Sequence, residues 1–400
     1  MRILHVNYYD ILGGAAKAAY RLHHELLQTG QDSMMLVADK KSDDQSVIPA
    51  FSSKQLFFIK MKQRLEKLLT YSCRKKHLFP HSLNIFHSGL ISQINSLKPD
   101  IVNLHWINGC MLSIKGIKTI QAPIIWTLHD GWAYCGAEHH HQYDDKRYKS
   151  GYDQSSLLDI NRYIWKQKMQ YWKDLNLNIV APSNWLGQEA AESCIMHDNN
   201  IQTIHNGIDL NTFSPKNTKN KDNGKKIIAF GAFNINDWNK GGKELLNALR
   251  ILREKYKQEF ELLLIGNGRF PDEFKSQNTG FIISDKEIAK IYPQADVFVL
   301  ASKYDNLPNM LVEASACGIP VVGFNTGGIP DVIQNKFNGY LAKAFDPEDL
   351  AYGLNYILSN KDNKMMINAR KLAEDKFDIK KISVQYTEYY EKILAQNGAK

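Results

Sequence analysis

The sequence predicts an α/β protein built of two Rossmann-like, doubly wound domains, and three observations predict it. Short apolar runs alternate with longer amphipathic ones along nearly the whole chain, the pattern of a parallel sheet covered by helices. The alternation is interrupted by the polar stretch SPKNTKNKDNGKK at 214–226, which has the composition of a linker, and then starts afresh. At 400 residues the chain is too long for one ordinary core.

The first domain, 1–213, opens with the strand RILHVN, a glycine turn and the alanine-rich helix GGAAKAAYRLHHELLQTG, which ends at Gly30 and leads to the strand DSMMLVA. Strand, helix and strand in that order form a βαβ unit. The strands DIVNLHW and APIIWTLHD follow, then the helix NRYIWKQKMQYWKDL and the strands NIVAPS and IQTIHNGID. The second domain, 227–378, repeats the alternation with IIAFGAF, KGGKELLNALRILREKY, FELLLIGNG, DKEIAKIYPQA, DVFVLAS, the helix PNMLVEASAC and IPVVGFNTGG. Pro308 in its first turn and Gly318 after its end bracket that helix. The last helix, IKKISVQYTEYYEKILAQ within 379–400, comes after that domain is complete and is expected to cross back onto the first.

A formal net charge of +8 favours anionic partners. The cysteines Cys73, Cys110, Cys135, Cys194 and Cys317 are scattered, odd in number and without a CxxC pair. That argues against a disulfide framework and a thiolate zinc site and fits a reducing cytoplasm. The N-terminal run lacks the apolar core of a signal peptide, and no stretch is long and apolar enough to span a bilayer. The expected location is cytoplasmic, soluble or peripheral at the inner face of the cell membrane.

Asp305 falls on the loop beyond the carboxyl end of DVFVLAS, the edge where open α/β sheets bind ligands. Glu313, about two turns into the following helix, reaches towards the same crevice. Two acceptor-rich carboxylates suit a polyol, although spacing alone fits a solvated loop acid and a helix-face glutamate better. Gly13 and Gly14 open a helix whose N–H groups and dipole favour a phosphate; a Gly-Gly turn serves equally as a tight connection. The turn is not GxGxxG, which argues against a dinucleotide.

The stretch DNLPNMLVEASACGIPVV, 305–322, resembles the donor-binding signature of retaining glycosyltransferase family 4, an acid, seven residues, then a glutamate. Within that family it resembles the subgroup reading ENLPN…EA.ACG.PVV, as in colanic acid and exopolysaccharide glycosyltransferases. The resemblance implies that Asp305, with Asn306 and Leu307, holds the donor sugar and that Glu313 holds the nucleotide's ribose. Asp305 stands for the family's first glutamate and has a shorter reach. IIWTLHDGWAYCG resembles the segment WTLHDMW.FTG, with Trp126 and Trp132 matching, and implies an active-site His129 beside Asp130, near the donor's hydroxyls. APSNWL and IHNGIDLNTF resemble the segments before the hinge, where Asn206 and Gly207 are architectural.

In FGAFNINDWNKGGKELLNAL, Lys240 corresponds to the family's phosphate-region lysine, whereas the arginine of many members is Ala232 here. Lys243 and Lys303 are the candidates for the second charge. Gly266, in IGNGRF, corresponds to the family's GDGP turn, and Gly327 and Gly328, in FNTGGIPDVI, would bring backbone N–H groups to the diphosphate.

The resemblance therefore implies a GT-B enzyme, its two domains facing across a cleft, transferring a hexose with retention from a nucleotide diphosphate sugar. It implies no metal and no cofactor, and a lipid-linked oligosaccharide acceptor in exopolysaccharide or lipopolysaccharide biosynthesis. Two rivals share the architecture: a GT-B sugar-nucleotide epimerase, and a non-catalytic nucleotide-sugar binding protein, which the missing arginine and Asp305 favour. EHHHQYDD gathers His139, His140, His141, Asp144 and Asp145, but adjacent histidines rarely converge on one ion and the cysteine cluster of related proteins is absent, so no metal site is read there. Residues 53–79 interleave bases with large apolar residues around a single acid, Glu66. They fit an anionic membrane surface about as well as a helix packed on its own domain. No motif accompanies the charge, so nucleic acid is not an expected partner.

Overall fold

The computed structural model describes residues 1–71, 79–142, 145–156, 158–216, 225–360 and 362–398. The chain divides into two compact units, one of residues 1–204 with 383–400 and one of residues 205–382. The first unit thus ends ahead of the stretch 214–226, of which 217–224 lie outside the described residues.

The first unit holds a seven-stranded sheet of β1 (Arg2–Tyr9), β2 (Asp32–Asp39), β3 (Val47–Pro49), β4 (Ile101–Leu104), β5 (Ile124–Thr127), β6 (Asn178–Ala181) and β7 (Asn200–Thr203). Their spatial order is β3-β2-β1-β4-β5-β6-β7, every pair parallel. β4 and β5 are buried at every position, which is why they read as unbroken apolar runs rather than alternating ones. Helix α1 (Gly14–Gln28) lays its small residues Ala16, Ala18 and Ala19 into the core. Helix α2 (Ser53–Leu69) starts at a capping box, with the Ser52 hydroxyl and the Gln55 side chain each bonding the other residue's backbone N–H. Among the described residues up to 204, its other longer helices are α3 (Leu90–Ser96), α4 (Ile160–Trp172) and α5 (Asn184–Glu192).

The second unit holds β8 (Lys226–Asn234), β9 (Phe260–Asn267), β10 (Ser276–Asn278), β11 (Val297–Leu300), β12 (Val321–Phe324) and β13 (Gly339–Ala342). Their order is β10-β9-β8-β11-β12-β13, again all parallel. Its longer helices are α6 (Gly242–Glu254), α7 (Asn309–Ala316), α8 (Pro347–Leu358) and α9 (Lys364–Lys376). The predicted fold class therefore stands: two Rossmann-like parallel sheets, the GT-B arrangement of elements. Helix α10 (Ile379–Gly398) begins in the second unit and belongs to the first from Ser383 onwards. There the Tyr390 hydroxyl accepts from Asn103 Nδ2 at 2.7 Å, and the Tyr386 hydroxyl meets Thr127 Oγ1 at 3.2 Å.

DKEIAKIYPQA, one segment of the predicted alternation, is a turn of α-helix at Asp285–Ile288 and a separate 3₁₀ turn at Tyr292–Gln294. Pro293 has no N–H to continue an α-ladder, which accounts for the break. Helix α7 starts at Asn309, with Pro308 as its N-cap, so Glu313 lies about one turn in rather than two. No helix of the described residues is long and apolar enough to cross a membrane.

Candidate active site

In each sheet the strand order reverses at one place, between β1 and β4 in the first and between β8 and β11 in the second. A crevice opens at such a reversal outside the carboxyl ends of the strands. The turn after β8 carries Lys240 and the loop after β11 carries Asp305, so these two flank the second unit's reversal. They form an ion pair, Lys240 Nζ to Asp305 Oδ2 at 2.7 Å, with side chains 25% and 19% exposed.

Asn239 holds the pair in register. Its Nδ2 donates to the Tyr304 carbonyl at 2.8 Å, its Oδ1 accepts from Tyr304 N at 3.0 Å, and its carbonyl accepts from Lys303 N at 2.8 Å. The turn is thus stitched to the Asp305 loop on both sides of one side-chain amide. Gly241 follows with φ +67, and a Cβ there would lie 1.9 Å from the Ala301 carbonyl oxygen, so only glycine lets the turn approach β11 so closely.

Gly327 adopts φ +53, and a Cβ there would meet the Asp305 carbonyl oxygen at 2.2 Å. Gly328 N donates to that same carbonyl at 2.9 Å, so its N–H is engaged in fixing the acid's loop. Glu313 is buried, and its Oε2 accepts from the Tyr292 hydroxyl at 2.7 Å. Asp305 and Glu313 therefore bond to different side chains, Asp305 to Lys240 and Glu313 to the core tyrosine Tyr292. Asn306 is buried, and Leu307 packs in the unit's hydrophobic core, so what Leu307 can offer a ligand is its backbone. Gly266, near the end of β9, donates its N–H to Gly280 at 2.9 Å. Of the candidates for a second charge, Lys303 is paired with Glu244 at 2.8 Å and lies over the Trp238 ring, while Lys243 is exposed on α6.

In the first unit, Gly13 at φ +95 is the N-cap of α1. It follows β1, on one side of that sheet's reversal. Beyond β4 and β5 lie His105 and His129, with His105 Nδ1 3.1 Å from His129 Nε2. Burial draws the His129 imidazole down to about 4, against a smaller opposing pull from Asp130, so the ring is neutral at physiological pH. Asp130 caps the next turn through Trp132 N at 3.0 Å, accepts from Trp106 Nε1 at 2.9 Å and meets His139 Nδ1 at 2.6 Å. Burial pushes the Asp130 carboxyl up, but the His139 ring, His140 and the Trp132 N–H outweigh it and hold the acid well below the usual carboxylate range. Trp126 and Trp132 are core residues, 2% and 1% exposed, and their indole N–H groups support neighbouring backbone, Trp126 Nε1 donating to the His105 carbonyl at 3.2 Å and Trp132 Nε1 to the Ser82 carbonyl at 2.8 Å.

The histidine-rich stretch is built into this support. His139 bridges Asp130 and the Ser82 hydroxyl, and His141 meets both oxygens of Glu189 at 3.0 Å. Among the described residues no group of histidine, cysteine and acid side chains converges as a metal site; Asp144 lies outside them. Lys168 was not singled out by the sequence. It is fully buried, its Nζ donating to the carbonyls of Trp132, Cys135 (3.1 Å) and Gly136 (2.6 Å) and lying 3.9 Å above the Trp132 ring. Burial pulls its pKa down to about 7, while three carbonyl acceptors call for the three N–H donors of the ammonium form.

Residues 12–212 match the family model described as Glycosyltransferase Family 4, and residues 211–372 match that of glycosyl transferases group 1. The Escherichia coli (strain K12) protein assigned to colanic acid biosynthesis as glycosyl transferase WcaC is 23% identical over 370 residues, 84% of this chain and 86% of that one. A Campylobacter jejuni (serotype O:2, strain NCTC 11168) N,N'-diacetylbacillosaminyl-diphospho-undecaprenol alpha-1,3-N-acetylgalactosaminyltransferase is 26% identical over 219 residues, 50% of this chain and 56% of its own length. Several other curated relatives are matched over 64%, 53% and 56% of their lengths. Among solved structures, Anabaena HepE in complex with UDP-glucose superposes with a TM-score of 0.67 at 15% identity, covering 98% of this chain and all of that one.

Proposed function

The chain belongs to Glycosyltransferase Family 4, and from that premise we propose that it is a retaining, metal-independent hexosyltransferase that moves a sugar from a nucleotide diphosphate sugar to a lipid-linked saccharide. The observation that carries the reading is the Lys240–Asp305 pair at the reversal of the second sheet. Paired with each other, ammonium and carboxylate are each half committed. A diphosphate offers Lys240 a more highly charged partner, and the sugar's hydroxyls offer Asp305 donors in its place. Binding the donor thus exchanges one internal pair for two interactions with opposite ends of the same ligand.

In the transfer, the bond between the anomeric carbon and the diphosphate oxygen breaks, the acceptor hydroxyl oxygen bonds to that carbon on the face being vacated, and the hydroxyl's proton passes to the departing diphosphate oxygen. Lys240 supplies positive potential to the leaving diphosphate without a metal. Glu313, steadied by Tyr292, takes the ribose. HepE's complex with UDP-glucose supports a nucleotide-sugar donor on this fold, and the Campylobacter relative's name supports an acceptor on a lipid diphosphate.

A lipid-linked acceptor would be met at a membrane, and α2 has the surface for one. Phe57 and Phe58 are each 59% exposed and Leu68 71%, flanked by the exposed bases Lys54, Lys60, Arg64 and Lys67. The helix's single acid, Glu66, is buried and accepts from Asn84 N at 2.9 Å, which leaves the outer surface cationic. Anionic headgroups are the complementary partner, at the inner face of the cell membrane; residues 72–78 of the basic segment lie outside the described residues.

Titration of UDP, GDP and ADP and their sugar conjugates tests the site. Lys240→Ala is expected to weaken the free diphosphate and the conjugate alike, whereas Asp305→Ala weakens only the conjugate. Equal loss in both variants for both ligands would overturn the division of roles.

A further inference from the structure

We infer that a row of hydrogen-bonded histidines, His5–His105–His129, fixes the proton of His129 on Nδ1 and so presents that ring as a hydrogen-bond donor rather than a base. The inference rests on the reading of His129 as a site residue and assigns His105 and His5 as its positioning residues.

The row crosses three neighbouring strands. His5 lies in β1, opposite Asn103 of β4; His105 comes two residues after Asn103, on the same face, and His129 two residues beyond β5. His5 Nδ1 is 3.0 Å from His105 Nε2, and His105 Nδ1 is 3.1 Å from His129 Nε2. The rings overlap in sequence, with centroids 5.3 and 5.4 Å apart and planes 28° apart at both contacts. His5 and His105 are 0% and 3% exposed. Burial holds all three rings below their ordinary pKa, so each is neutral and carries one proton.

Each contact needs one N–H and one lone pair, so a neutral row has only two arrangements and its protons shift together. The far end chooses between them. His5 Nε2 is buried without a hydrogen-bond partner among the described residues. If it carried the proton, a buried N–H would go unsatisfied; if bare, only a lone pair would. Orphaned buried N–H groups are the rarer and costlier of the two. The proton of His5 therefore sits on Nδ1 and is donated to His105 Nε2. His105, neutral, then carries its proton on Nδ1 and donates to His129 Nε2, and His129 must carry its own on Nδ1. A donor at that position suits a sugar or phosphate oxygen and cannot accept a proton from an attacking hydroxyl.

The edge-on neighbour of His5 does not disturb the row. His23, 5.8 Å away by ring centroids, has both nitrogens engaged, by the hydroxyls of Ser33 at 2.8 Å and Ser46 at 2.9 Å.

The test is nitrogen-15 NMR of the full chain labelled at histidine, comparing the parent with His105→Leu and His105→Asn, with His129 identified by the signals lost in His129→Gln. In the parent, His129 should show a protonated Nδ1 and a bare Nε2. His105→Asn, whose amide can still donate to Nε2, should keep that form, and His105→Leu should give a mixture of both. Transfer should fall by roughly 10²-fold in His105→Leu, the scale for a misplaced active-site group, and recover most of that in His105→Asn. A parent His129 protonated at Nε2, or one tautomer common to all three chains, would overturn the inference. The spectra need no substrate, so they decide the row even if no donor is turned over. A normal rate in His129→Gln beside the expected spectra would leave the row standing and remove His129 from the site.

Discussion

Lys240 is asked to supply one interaction at the departing diphosphate, and one preorganised stabiliser is the scale on which its loss should be read. Lys240→Ala is expected to lower kcat by ~10²-fold while the folded chain persists, measured by nucleotide release at saturating donor. An unchanged rate would remove Lys240 from the reaction. Tyr292→Phe deletes the hydroxyl that meets the buried Glu313. The carboxylate loses a hydrogen bond inside the core, so denaturant unfolding should show a loss of about 1–3 kcal/mol; an unchanged midpoint would mean that the bond contributes nothing there. Lys240 and Asp305 stood out in the sequence because they follow strands, and Glu313 because it sits in the helix after Asp305, all within a recognisable pattern. Asn239 and Lys168 did not, because each works by bonding backbone carbonyls or N–H groups, and such partners leave no residue pattern to read.

Elements that bury an entire face were the legible ones: α1, α7 and the central strands carry continuous or periodic apolar runs, and each is found where those runs predict. The edge strands β3 and β10 were not legible, being three residues each and, in β10, wholly polar and exposed. At the level of elements, the loop 131–136 depends on α4 through Lys168. Lys168→Met leaves the carbonyls of Trp132, Cys135 and Gly136 without their donor in a closed site. A loss of at least ~3 kcal/mol is expected, from several unpaired buried acceptors at about 1–3 kcal/mol each. Fluorescence of the packed Trp126, Trp132 and Trp172 cluster would follow unfolding, and a variant as stable as the parent would contradict this role. Helix α2 makes a separate prediction. Vesicles with anionic lipid should retain the protein at low salt, and Phe57→Ser with Phe58→Ser, or neutral replacements of Lys54, Lys60 and Lys67, should weaken retention. Equal retention of parent and variants would put the surface to another use.

At the scale of the whole chain, two parallel sheets were predictable because β-α alternation starts twice and each start is long enough for a core of its own. Where the chain passes between units was less so. The first unit closes at Ile204, before any shift in composition, because residue 208 bonds to both Phe377 and Ile379 and so belongs with the second unit's end. A long-range backbone pairing of that kind is set by the fold and has no local signature. A transferase of this kind consumes its nucleotide sugar only when an acceptor is present. Purified protein incubated with UDP-, GDP- and ADP-sugars, with and without a membrane lipid extract from the source cells, should release nucleoside diphosphate from one donor, and only with the extract. Conversion of a donor without acceptor and without released nucleotide would identify an epimerase instead, and tight donor binding with no turnover under any condition would leave a binding protein.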